Sequence, residues 1–419
     1  MTRARQTAIG ARHSWLWRNR FAFGHCSPEV RPRLLVDVSA IIQHDAQTGI
    51  QRVVRAVWSE LKQRSGTDFD LIPVYASNSH GYCHAPFDFI PGATDLSDAL
   101  CASAGSGDIF LGLDLSAHLL PKFRRQLRAW RAHGASVNLV VYDLLPLSRP
   151  DWFNGRTIRH FRKWYSLLAA DADRAICISG HVAGELRQRL QAEAQHRPQV
   201  ARIRLGADIA ASLPSRGVSG DLMQVVEQMR FRPSVLMVGT IEPRKGYEIA
   251  LRTFERLWER CPAEAPDLVI VGRAGWKTDA LQEQIRAHSA RGKRLHWLTG
   301  VSDEGLCRLY EACRGVFVPS RAEGFGLPVV EAAIARRHVL ARDLAVFREQ
   351  GLSNVTYFDD ESPEALAEQL LQLIALPQQA PSPPADLPTW SDCVDDLVAE
   401  LGVLAPDVSI DKRSLRKAS

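Results

Sequence analysis

The feature that most limits the fold is an alternation that runs along the chain, stops once and begins again. Short apolar runs rich in β-branched residues alternate with amphipathic helical stretches. The strand-like runs fall at 34–38 (LLVDV), 71–75, 109–113, 137–142, 175–178 and 200–204, then after a gap at 235–239, 268–272, 295–298, 315–318, 338–341 and 355–358. Between them Ile50–Arg64, Lys122–His133, Tyr247–Arg260, Asp279–Ala290 and Asp303–Cys313 carry apolar residues at helical spacing. Strands apolar on both faces must be covered on both, and helices between them supply the cover. The pattern therefore predicts an α/β protein built on parallel sheets. A chain of 419 residues exceeds one comfortable core. The stretch from Gly206 to Pro233 has Pro, Gly and Ser breakers and no strand-like run, so it is the expected connection between two Rossmann-like halves. A ligand cleft between them would face the carboxyl ends of both sheets. The expected division is a basic leader over 1–30, an N-terminal domain over 31–215, a C-terminal domain over 232–376, a last helix within 385–404 and a basic tail over 405–419.

Hydrophobic residues make up 46% and charged residues 24%, which fits an ordinary globular chain, and a net charge of +5 is too small to argue for a nucleic-acid partner. The eight cysteines form no CxxC pair and several lie in apolar runs. That scatter fits reduced, buried thiols of a cytoplasmic protein, without a zinc site or disulfide frame. No apolar run approaches the roughly 20 residues a spanning helix needs. The first 21 residues, MTRARQTAIGARHSWLWRNRF, are interrupted by arginine throughout and do not read as a secretory signal. They read either as a disordered leader or as a basic segment lying on anionic lipid.

The strongest local pattern is VFVPSRAEGFGLPVVEAAIAR at 316–336. A buried strand ends near Ser320, a loop holding Gly324 and Gly326 follows, and Pro328 suits the first turn of a helix. Glycines let a backbone approach a ligand closely, and a helix start presents free N–H groups that favour a diphosphate. Glu323 in the loop and Glu331 in the helix add two carboxylates able to grip hydroxyls. An ordinary glycine loop with a capping glutamate is the plainer reading, and two spaced acids around GFGLP weigh against it. The second pattern is VLMVGTIEPRKGYEIALRTFERL at 235–257, where a strand runs into Gly239 and Thr240 and then Arg244 and Lys245 before a helix. An Arg–Lys pair at a strand's carboxyl end would meet the growing charge of a departing diphosphate, work a divalent metal does elsewhere. A solvated charge cluster at a turn is the commoner fate of such a pair taken alone.

Together these two segments resemble the retaining family-4 glycosyltransferases, whose mark is Glu, seven residues, Glu in the C-terminal domain, here Glu323 and Glu331 in EGFGLPVVE. The resemblance implies a GT-B architecture, with Glu323 on the donor sugar, Glu331 on the ribose and the amides from Phe325 to Leu327 on sugar and phosphate. Arg244 and Lys245 match the family's pair, Thr240 lies on the donor side, and Val301 in LTGVSDEGL (298–306) matches the segment lining the base. The likeness is specific over about 235–336.

In the N-terminal half Gly49 lies between a strand and a helix, where a small residue lets backbone meet the donor phosphate from across the cleft. A plain turn glycine is nearly as good a reading. The pattern DVS…D…TGIQRV also resembles bacterial mannosyltransferases that build O-antigen and exopolysaccharide, which implies mannose from GDP-mannose as donor. Many relatives have His-Asp where this chain has Tyr142-Asp143. Asp143, at a predicted strand end, either orients or deprotonates the acceptor hydroxyl or is structural. Finally, HLLPKFRRQLRAWRAHG (118–134) sets Lys122, Arg124, Arg125, Arg128 and Arg131 beside an apolar stripe. That suits either an anionic membrane surface or the exposed face of a Rossmann helix.

The resulting expectation is a hexosyl transfer with retention, from a nucleotide-diphosphate sugar to a polyprenyl-linked saccharide, at the inner face of the plasma membrane. No metal or other cofactor is expected. A GT-B epimerase or a degenerate scaffold subunit of a polysaccharide assembly complex are the alternatives. An NAD-dependent enzyme is disfavoured because no GxGxxG follows either first strand.

Overall fold

The computed structural model describes residues 31–45, 48–76, 81–90, 100–193, 197–209 and 217–403. The expected leader and basic tail lie outside the described residues.

Two sheets carry the fold. The first contains β1 (Arg33–Asp37), β2 (Asp70–Ala76), β3 (Tyr82–His84), β4 (Ile109–Gly112), β5 (Ser136–Val141), β6 (Arg174–Cys177) and β7 (Gln199–Arg202), in the order β3-β2-β1-β4-β5-β6-β7. The second contains β8 (Ser234–Val238), β9 (Asp267–Val271), β10 (Leu295–Leu298), β11 (Gly315–Val318), β12 (Val339–Arg342) and β13 (Val355–Phe358), in the order β10-β9-β8-β11-β12-β13. The second sheet is parallel throughout. The first is parallel except for β3, which joins β2 antiparallel. This is a GT-B arrangement of two Rossmann-like sheets. The apolar strands are buried on both faces as their composition requires: Leu34, Leu35, Val36, Val316 and Phe317 are essentially inaccessible.

Two elements differ from the sequence reading, and the expected last helix has a partner the sequence did not indicate. β3 is an additional strand of three residues, too short to carry a periodic signal, held by the β2 register Val74–His84. The stretch read as a breaker-rich connection contains a helix, Gly220–Phe231, capped by Ser219 and seated through Leu222, Val226 and Met229. The last helix, Trp390–Leu401, starts at Thr389 in a reciprocal capping box with Asp392 and docks on the N-terminal half. There Trp390 Nε1 donates to the Asp208 carbonyl at 3.0 Å, Arg64 pairs with Asp395 and Arg204 with Asp396. Among the described residues no helix is long and apolar enough to cross a membrane.

In each sheet the strand order reverses at its centre, between β1 and β4 and between β8 and β11. Loops leaving neighbouring strands at such a point diverge and leave a crevice at their carboxyl ends. The sequence singles out the loop after β8 and the loop after β11, and these share one crevice.

Candidate functional site

The crevice is a cavity of about 760 Å³ lined from both halves. Glu323, Arg244, Lys245, Asp143, Gly49, Thr240, Val301, Gly324, Phe325, Gly326, Leu327 and Glu331 all line it.

Its floor is built where two loops press together. Gly246 closes the turn Pro243–Lys245 with φ 72°, and a Cβ there would lie 2.4 Å from the Pro319 carbonyl oxygen. The backbone N–H of Arg321 donates to the Arg244 carbonyl at 2.7 Å. This contact brings both cations onto one carboxylate. Lys245 Nζ lies 2.6 Å from Glu323 Oε1, and Arg244 donates to Glu323 Oε2 while also pairing with Glu242 at 2.8 Å. Burial opposes ionisation of Glu323, but Arg244 and Lys245 outweigh it and hold the carboxyl at about 2. The acid is therefore an anion at any physiological pH.

Gly326 (φ 97°) then starts the helix Leu327–Ile334, and a Cβ on it would strike the Phe347 ring. Glu331, only 2% exposed, is held within that helix. Its Oε2 accepts from the Tyr310 hydroxyl at 2.8 Å, and its Oε1 accepts from Arg52 of the N-terminal half.

The opposite wall comes from the end of β5. Tyr142 is turned into its own domain, its hydroxyl donating to the Leu113 carbonyl at 2.8 Å. Asp143 faces the cavity and accepts from the Leu145 N–H at 3.1 Å. Burial raises its pKa, Arg244 pulls it back, and Glu242 and Glu323 add to the rise. The two walls touch: Ser179 Oγ donates to the Gly324 carbonyl at 2.7 Å.

Residues 227–383, holding both acids and both cations, match the family described as glycosyl transferases group 1. The similarity to group 1 glycosyl transferases thus falls in the C-terminal half of the chain. Across 89% of its length the chain is 38% identical to the serotype-specific mannosyltransferase WbdA of Escherichia coli, of which it spans 45%. The chain thus covers a little under half of that curated relative. Among solved structures it is similar to Anabaena HepE in complex with UDP and glucose, at TM-score 0.59 and 17% identity over 88% of this chain and 99% of that one. Sucrose-phosphate synthase from Thermosynechococcus elongatus gives TM-score 0.56 at 17% identity, over 93% and 100%. These two likenesses concern the fold. The resemblance read from the motifs is borne out by the family match and by the WbdA similarity.

Several residues around the cavity were not singled out in the sequence. Glu242 is the second acid on Arg244, Tyr310 holds Glu331, and Ser179 ties the walls together. Arg52 crosses the cleft, and its only sequence signal is its position in TGIQRV. Trp276 and Lys277 also cross, donating to the carbonyls of Trp152 and Asp151 at 2.9 and 2.6 Å.

The basic stretch at 122–131 is anchored within the domain. Arg124 and Arg128 both pair with Asp171, and Arg131 pairs with Asp173 at 2.7 Å. These carboxylates lie at and just beyond the end of the neighbouring helix Gly155–Asp171. Lys122, Arg125 and Arg128 are exposed. Leu127 and Trp130 are core residues, so the apolar stripe of this helix faces inward.

Proposed function

We propose that the chain transfers mannose from GDP-mannose, with retention, onto a polyprenyl-linked saccharide in cell-surface polysaccharide assembly. The observation that carries this reading is Glu323, held ionised by Arg244 and Lys245 beside the Gly324–Leu327 loop in a cavity shared by both halves. The WbdA similarity supports mannose and the O-antigen context; it comes from a protein of which this chain spans under half.

The donor diphosphate would lie against the start of the helix Leu327–Ile334 with its sugar toward Glu323. As the bond from the anomeric carbon to the phosphate oxygen breaks, Arg244 and Lys245 stabilise the charge growing on the diphosphate. The acceptor oxygen forms its bond to the same face of that carbon, and its proton passes to the departing phosphate oxygen. Asp143 orients the acceptor hydroxyl. Glu331 receives the ribose, and Val301 lines the base. The two cations take the charge-neutralising role, so no metal is required. The enzyme would work at the inner face of the plasma membrane, held peripherally by exposed cations such as Lys122 and Arg125.

The test is a thermal-shift panel of GDP, UDP and ADP sugars, followed by product analysis with and without EDTA. Preferential stabilisation by GDP-mannose, with transfer that survives EDTA and an α-linked product, is expected. A strict manganese requirement would remove the cationic-pair mechanism. Conversion of donor alone to an epimer would replace transfer by nucleotide-sugar epimerisation.

A further inference from the structure

Arg52 stands between the two halves in a way the donor reading does not account for. It is on the fourth residue of the helix Gly49–Arg64, one turn beyond the Thr48 cap. Its guanidinium reaches across the cleft, one nitrogen on Glu331 Oε1 and the other 3.2 Å from Asp303 Oδ1. Its side chain is 12% exposed, it lines the cavity, and its Nε is buried with no hydrogen-bond partner among the described residues. Among the described residues lining the cavity, it is the one Arg or Lys supplied by the N-terminal half.

Two facts follow from that geometry. Both oxygens of Glu331 already accept a hydrogen bond, one from Arg52 and one from Tyr310. A buried guanidinium is stable there only while an anion faces it, because an uncompensated charge out of water is costly. A neutral ligand that takes over Glu331 by its hydroxyls would leave Arg52 with Asp303 as its remaining hydrogen-bond partner among the described residues. A ligand carrying hydroxyls and an anion together would satisfy both groups.

We propose that Arg52 is a donor-binding residue that reads the diphosphate: it rests on Glu331 and transfers to a phosphate oxygen when the ribose hydroxyls engage that glutamate. This rests on the nucleotide-sugar reading above. The exchange makes phosphate and ribose bind together, so the site rejects bare nucleosides although it has contacts for them. It also moves a cross-domain ion pair onto the donor, so that the donor joins the two halves.

The test measures the affinities of GDP and guanosine, with UDP–uridine and ADP–adenosine as parallel pairs, for the full chain and for Arg52→Gln. Because the glutamine removes a charge-assisted contact to phosphate and frees Glu331, GDP affinity should fall about tenfold or more while guanosine affinity holds or rises. Arg52→Lys, which keeps the charge but not the fork, should recover part of the GDP affinity and leave guanosine near the wild-type value. Unchanged GDP affinity in Arg52→Gln would overturn the proposal. So would equal losses for GDP and guanosine, which is what a purely structural latch gives. If the wild-type chain binds none of the diphosphates, the nucleotide-sugar reading itself fails. If it binds one and Arg52→Gln binds it alike, only the role of Arg52 fails.

Discussion

Gly324 and Tyr142 meet across the cleft with no room for a side chain: a Cβ on Gly324 would lie 1.9 Å from the Tyr142 carbonyl oxygen and 3.3 Å from Asp143 Cβ. The glycine is needed because two domains approach backbone to backbone at this loop. Gly324→Ala should pry the walls apart and break the Ser179 bond to the Gly324 carbonyl. A displacement near 1 Å at a reacting centre can cost about 100-fold in rate, so transfer should fall on that order. Small-angle scattering should report a larger radius of gyration with far-UV circular dichroism unchanged. Wild-type activity and dimensions would show that the halves need not touch during turnover.

The two cations on Glu323 should separate by their partners. Lys245 has Glu323 alone as its ion-pair partner among the described residues, while Arg244 also holds Glu242. Lys245→Met should reduce kcat about 100-fold, as expected for one lost electrostatic contact in a dry site, with Tm within a few degrees of wild type. Arg244→Met should reduce kcat and also lower Tm clearly, since it leaves two buried carboxylates facing each other. Equal Tm for the two variants would contradict this division.

How much of this could be read from the chain depends on sequence distance and topology. The meeting of Arg244 with Glu323 was legible because each follows a strand end, and β8 and β11 are neighbours in a doubly wound order. The bond from Arg52 to Glu331 spans 279 residues and depends on how two separate domains face each other, which no local pattern encodes. The basic stretch at 122–131 showed its charges plainly, but not that Asp171 and Asp173 wait at and just past the end of the next helix. β3 is three residues long and exists through its pairing with β2.

Asp143 offers a test by substrate rather than by stability. Asp143→Asn keeps an oxygen to accept the Leu145 N–H, so the loop should hold. Acceptor-dependent transfer should fall about tenfold or more, while slow hydrolysis of the donor alone continues near its wild-type rate. Parallel loss of both reactions would assign Asp143 to the donor, and loss of neither would make it structural.

The motif DVS, which begins at the last residue of β1, is packed against a second buried acid. Asp37 accepts from Ser39, Tyr82 and Ser116, and nearby Asp114 accepts from the Ile41 N–H. Burial, reinforced by Asp37, raises the Asp114 carboxyl to about 7. The folded state thus keeps a proton that the unfolded state releases near 4, so this group's contribution to stability falls as pH rises between those values. Asp114→Asn should flatten the decline in denaturation midpoint from pH 5 to pH 8. An unaltered slope would locate the titration elsewhere.

The docking of Trp390–Leu401 means that the polypeptide passes between the halves twice, once after β7 and once on the way to Thr389. A joint made of two cords resists twisting and leaves opening and shutting as the easy motion, like a door hung at top and bottom. It also inverts the usual expectation for trimming a terminus: cutting the chain back to residue 385 would strip the brace from the first domain and leave the second, which precedes the cut, whole.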